Sequence, residues 1–253
     1  MFKRKNNIKK IIFKAQEAHA QIFTPMPKPM SNIIPEWYKK QKNFSNGENN
    51  QIKAINSAKN IAINGKVDGT YKLCVPLIDT LTSGYAFTLP ADVFVENIGI
   101  NGEYTPKITW KVTWQVLDMM DPTTHKGYPV PPGFSSFIFR WFADFKIETP
   151  AEYSCWITHP SHRWDLPFLT INGFVDTDKQ PNSLLLPFFI KEGFEGIIEE
   201  GTPIAQIIPI KRESWKSEKK DISHEDFFIK QNAAKINYVR TYKKRYWTRK
   251  KYE

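Results

Sequence analysis

Residues 197–210 read IIEEGTPIAQIIPI, and the reading of this stretch decides the fold class. Glu199 and Glu200 lead into Gly201, and an isoleucine-rich run carrying one glutamine, Gln206, follows. A short apolar run bounded by a glycine turn is the spelling of a buried strand, with Gly201 supporting the turn and Ile204, Ala205, Ile207 and Ile208 packing the core. The acidic pair reads as a solvated turn, and Gln206 as a local hydrogen-bonder.

Working outward, the same spelling recurs from about residue 52 to 212. In KITWKVTWQV (107–116), Ile108, Trp110, Val112, Trp114 and Val116 alternate with polar residues, the period of a strand with one apolar face. FIFRWFADFKI (137–147), EYSCWIT (152–158), PFLTINGFV (167–175) and SLLLPFFI (183–190) continue it. INGE, PVPPGF, DTDKQPN and KEGFEG punctuate the strands with turn residues. With 18 prolines against 12 glycines in 253 residues, the expectation is a mainly β protein with an antiparallel sandwich-like or barrel body.

The ends differ from this body. Residues 1–43 hold ten Lys/Arg and two Glu, a net +8; residues 44–215 are net −5; residues 216–253, with twelve basic and five acidic residues, are net +7. Charge this uneven speaks to partners rather than fold. Three segments are expected: a basic N-terminal arm and linker (1–51), the β domain (52–215) and a basic helical tail (216–253). In the arm, Ile11, Ile12, Phe13, Ala15 and Ala18 suggest a short amphipathic helix. TPMPKPM then imposes an extended connector, Trp37 and Tyr38 offer an anchor to another surface, and SNGENNQ (45–51) is a polar turn. In the tail, Ser223 with Asp226 reads as a capped helix start, and Phe227, Gln231, Ala234, Tyr238 and Tyr242 share a face.

The tail also interleaves Arg240, Lys243, Lys244, Arg245, Arg249, Lys250 and Lys251 with aromatic residues such as Trp247. That pattern suits docking on an acidic protein surface, or phosphate neutralisation with base stacking on nucleic acid. Cys74 and Cys155 stand 81 residues apart in apolar text and read as buried free thiols of a reducing compartment. The longest apolar run, 183–190, is far short of the roughly 20 residues a spanning helix needs, so no membrane partner is expected. His159, Ser161, His162 and Asp165 in THPSHRWD read as a structured turn, with Arg163 and Trp164 packing on the sheet, rather than a catalytic triad or a metal site. No metal and no cofactor is expected.

Taken together, SGYAFTLPADVFVE (83–96), THPSHRW (158–164), NGFVDTD (172–178) and GTPIAQI (201–207) resemble, in order, the signature segments of the dUTPase and dCTP deaminase superfamily, the β-clip fold. Gly173, Asp176 and Asp178 fall on its third segment, and Gly201, Ile204, Ala205, Gln206 and Ile207 on its fourth; Gly84 and Tyr85 fall on the first and Ser161 on the second. The spacing would require an inserted hairpin, which the Trp-rich stretch 107–116 could supply. Asp176, Asp178, Gln206 and Ser161 are therefore the catalytic candidates that the resemblance implies.

The departures fall on the chemistry. Ala86 stands where the family has an aspartate, Lys179 where a tyrosine stacks on the pyrimidine, and Thr202-Pro203 where an acidic and basic pair faces the phosphates. The family's glycine-rich closing segment is absent. Triphosphate hydrolysis needs cations to neutralise phosphate and a carboxylate to orient water, and Asp176 meets only the second need. The chain also looks like uncharacterised tailed-phage proteins, through P-x-W-Y-K (35–39), K-x-C-x-P-L-x-D-x-L-T-S-G-Y (72–85) and W-x-x-K-K-Y (247–252), and its Lys/Asn/Ile-heavy spelling fits an AT-rich genome. The resemblance implies a non-enzymatic virion component, assembled in the host cytoplasm as a homo-oligomer such as a trimer and binding other virion proteins. The alternatives are a nucleotide-processing enzyme and a nucleic-acid-binding module.

Overall fold

The computed structural model describes residues 8–15, 18–43, 70–235 and 242–253. The protein is mainly β, with fourteen strands among these residues in four antiparallel sheets. Contacts divide the chain into two units, Met1–Ile33 with Gly84–Arg212, and Ile34–Ser83 with Glu213–Glu253. This partition differs from the three sequence segments, because the first 33 residues join the unit that holds all the strands among the described residues.

In that unit β1 (Ile12–Ala15) pairs with β8 (Phe145–Glu148). The helix expected over residues 11–18 is therefore corrected: 12–15 is a strand, and a short helix α1 begins only at Ala18 (Ala18–Ile22). Burial alternates along β1, so the period is two; Phe13 points inward, edge-on to Tyr85 at 5.4 Å, while Lys14 pairs with Glu148 at 2.7 Å outside. The prolines that follow do hold the chain extended, as β2 (Lys28–Pro29).

β2 is the edge of a five-stranded sheet, in the order β11 (Gly173–Val175), β9 (Tyr153–Thr158), β14 (Pro203–Lys211), β3 (Tyr85–Thr88), β2. A four-stranded sheet runs β10 (Phe168–Thr170), β12 (Leu185–Lys191), β7 (Phe134–Phe142), β6 (Leu117–Met119). A three-stranded sheet runs β13 (Gly196–Ile198), β4 (Val93–Asn97), β5 (Pro106–Trp110).

Several expected strands are broken by single residues. FIFRWFADFKI divides into β7 and β8 at Asp144, whose φ of 54° lies in the left-handed region that Asp tolerates. PFLTINGFV divides into β10 and β11, which belong to different sheets. KITWKVTWQV is a strand only as far as Trp110. There the Trp110 indole donates to Trp114 O at 2.8 Å, and the Trp114 ring stacks on Phe23 at 5.2 Å. Residues 75–82, within the strand-like region, form helix α3 (Val75–Thr82) instead. Pro76 in its first turn presets a helical φ, and the Thr80 and Thr82 hydroxyls donate to Pro76 O and Ile78 O.

The strands of all three larger sheets share one core. Its centre is Trp141 stacked on Phe188 at 3.8 Å, with Phe168 edge-on to both. Burying each ring contributes on the order of 1.5–3 kcal/mol. Cys155 is buried, and burial raises its thiol to about 11; Cys74 is exposed, which corrects the expectation of two buried thiols.

The second unit holds helix α2 (Glu36–Lys40), α3 and helix α4 (His224–Lys235). At the start of α4, Ser223 Oγ accepts from Asp226 N at 3.1 Å. The basic stretch beyond enters the description as one π-helical turn, Tyr242–Tyr246, followed by irregular chain. The turn expected at 45–51, together with Tyr238 and Arg240, lies outside the described residues.

Candidate functional site

β14 carries the opening stretch through the middle of the five-stranded sheet, between β9 and β3. Its register with β3 slips between Pro203 and Ala205, leaving Ile204 as a bulge. Ile204, Ala205 and Ile207 are buried; Ile208 is only half-buried, across from Trp156 rather than in the core, which corrects its assignment. The turn before it closes through Thr202 N to Glu199 O at 3.1 Å, with Gly201 at φ 80° and both glutamates exposed.

Gln206 is wholly buried, and its Oε1 accepts from the Ser161 backbone amide at 3.0 Å. The glutamine in the apolar strand thus pins the turn that follows β9. Five further contacts fix that turn. Thr170 N donates to His159 Nδ1 at 3.3 Å, which leaves the ring proton on Nε2, facing Arg163 O at 3.1 Å. Asn172 Oδ1 accepts from Thr158 Oγ1 and His159 N. Arg163 pairs with Asp165 at 2.9 Å. Burial holds the His159 imidazole below its ordinary value, so the ring is a neutral structural group. Trp164 is exposed, and its ring lies over His159.

At the far end of β9 a second cluster forms around Arg212. Its guanidinium spans both carboxylate oxygens of Asp178, with Nη1 to Oδ1 at 2.8 Å. It also donates to Tyr153 O and Ser154 Oγ at 3.0 Å, and lies 3.3 Å from Asp176 Oδ1. Ser154 Oγ donates to Asp176 at 2.6 Å, and Glu152 N donates to Asp178 at 3.0 Å. The hydrogen bonds from Arg212 hold the Asp178 carboxyl down to about 2, and the same contact raises the Arg212 guanidinium. A carboxylate this acidic and this fully bonded is a poor general base.

The four catalytic candidates therefore fall into two separated pairs. Gln206 meets Ser161 at one end, and Asp176 and Asp178 meet Arg212 at the other. Gln206 and Arg212 are six residues apart in chain, roughly 20 Å along an extended strand. Sequence reasoning sought a cation at position 203 and missed Arg212. Its signal is a lone arginine just past the longest C-terminal strand, opposite a hairpin carrying two aspartates.

The binding candidates are placed as follows. Trp247 Nε1 donates to both oxygens of Asp79 at 3.0 Å, and Lys250 Nζ reaches the same carboxylate at 2.6 Å, a contact that raises the lysine. Lys243 lies over the Trp247 ring at 5.9 Å. Arg249 and Lys251 are exposed; Lys244 and Arg245 stand in the π-helical turn. Tyr38 is buried, donates to Lys72 O at 3.2 Å and is pushed up by burial. Trp37 packs edge-on to it at 5.7 Å and stays 40% exposed. Asp79, the residue that gathers the tail, was not singled out by the sequence.

Among the described residues no three His, Cys, Asp or Glu side chains are grouped to hold a metal, and no helix is long and apolar enough to cross a membrane. No protein-family model matches the chain, and no curated protein matches it.

Proposed function

We propose that this protein is a non-enzymatic assembly protein of a viral particle, a degenerate β-clip body whose basic termini bind neighbouring copies and other virion proteins. The observation that carries this reading is the use made of the residues that resemble a nucleotide-hydrolase site. Gln206 and Ser161 close a turn on β14, and Asp178 is saturated by Arg212 and Glu152 N. Each is a bond that fixes the body, and the two sets lie roughly 20 Å apart. The resemblance to tailed-phage proteins supplies the virion and its assembly in the host cytoplasm. Protein docking is favoured over nucleic acid because Trp247 and Lys250 are both engaged by a carboxylate.

The test is incubation with dUTP and dCTP in Mg²⁺, alongside sedimentation of the purified chain. No turnover together with concentration-dependent assembly is expected. Turnover that Asp176→Asn abolishes would replace this reading with the nucleotide-processing one.

A further inference from the structure

Two apolar surfaces of this chain have no cover among the described residues, and they match in chemistry. The first is α4. Phe227, Phe228 and Ile229 are 51%, 55% and 58% exposed, three large apolar side chains in succession. Residues 213–223, which lead to it, have no regular structure and are exposed throughout, Trp215 at 87%. A helix of 12 residues is marginal alone in water, so its stability calls for a surface to pack on. Beyond the apolar trio, residues 230–252 hold nine Lys/Arg and no Asp or Glu.

The second surface is a groove of about 630 Å³ lined by Ile98, Ile100, Ile108, Trp110, Met119 and Phe139. It lies between β5 and β6, each the terminal strand of its sheet. Ile98, Ile100 and Met119 are about half exposed. Of the charged residues that line the groove, Lys107 is drawn off by Glu96 at 4.0 Å and Asp118 by Arg140, which leaves Glu103, with Glu195 accepting from Asn97 N beside it; segments 92–103 and 191–202 together carry seven Asp/Glu and one Lys. An apolar floor with acidic flanks fits an apolar helix followed by a basic segment.

We propose that α4 of one copy docks in the β5–β6 groove of a second copy, with Phe227 and Phe228 on the apolar floor and the following Lys/Arg over the acidic segments. This rests on the assembly reading above and names its partner and site. Residues 213–223 extended span roughly 35 Å, enough to reach an adjacent body. Because each copy offers one helix and one groove, the contact is head-to-tail and builds rings or chains.

Sedimentation velocity of the full chain tests it. The wild type should assemble, and less so as salt rises. Phe227→Asp with Phe228→Asp should leave a monomer with an unchanged melting temperature, since both residues are exposed. Ile100→Glu with Met119→Glu should do the same. Mixing the two variants should give a dimer and nothing larger, because one intact helix then meets one intact groove. If the helix variant assembles like the wild type, this docking is wrong while the assembly reading stands. A wild-type chain that stays monomeric at every concentration overturns the docking, and the nucleotide assay then decides the reading beneath it.

Discussion

Gln206 Oε1 accepts the Ser161 amide at 3.0 Å, so a side chain at the centre of β14 holds the turn that follows β9. The bond joins residues 45 apart in sequence and sits where the glutamine is wholly buried. It accounts for a polar residue in an otherwise apolar strand, because the buried Gln206 side chain finds its donor in the half-buried Ser161 amide.

Replacing Gln206 with Leu keeps the volume and removes the acceptor. Stability should fall by about 1 kcal/mol, the net worth of a hydrogen bond whose half-buried amide donor is left without its protein acceptor. Urea unfolding reads it as a lower midpoint at constant slope. A variant as stable as the wild type would mean that the turn is held by His159 and Asn172 alone.

Gly84 before β3 and Gly201 before β14 should behave differently. At Gly84, with φ 74°, a Cβ would stand 2.0 Å from Ile207 O, a backbone atom of the paired strand. Gly84→Ala should cost at least about 3 kcal/mol through strain and displacement of β14. Gly201 has a similar φ but open space around it, so Gly201→Ala should cost only about 1–2 kcal/mol. Equal losses in thermal melts would show that steric approach at Gly84 is relieved elsewhere.

These residues also show what was legible in the sequence. Apolar, strand-like spelling between turn residues placed β9, β12 and β14 to within two residues. It could not give the breaks at Asp144 and Trp110, which depend on a left-handed φ and on an indole donating four residues along its own chain. Ile11 to Ala15 fits a helical stripe as well as an alternating one; pairing with β8, 130 residues or more away, decides it. Arg212 stayed hidden for the same reason. Nothing local links it to Asp178, and the pairing of β9 with both β14 and β11 brings them together.

That pairing has an acid signature. The Asp178 carboxyl sits at about 2 in the folded protein, against about 3.9 in an unfolded chain. Below the unfolded value the unfolded state binds the extra proton, so the stabilisation present above pH ~4 is lost as pH falls towards 2. Asp178→Asn should lower the melting temperature at neutral pH and flatten its decline across this window. A variant whose acid limb superposes on that of the wild type would place the titrating group elsewhere.

Asp79 makes the last prediction, because it gathers the C-terminal segment through two different donors. Its side chain is 15% exposed and accepts from the Trp247 indole, while Lys250, about half exposed, adds a charge contact weakened by solvent. Losing both should ease release of the segment by about 1–2 kcal/mol, roughly tenfold in the released fraction. Asp79→Ala should therefore speed tryptic cleavage after Arg249, Lys250 and Lys251 about tenfold, with melting of the β unit unchanged. Asp79→Asn keeps an acceptor for Trp247 and loses only the charge, so its cleavage rate should fall between the two. If all three proteins are cut at one rate, the carboxylate does not hold the segment, and the basic residues 242–253 are free for a partner at all times.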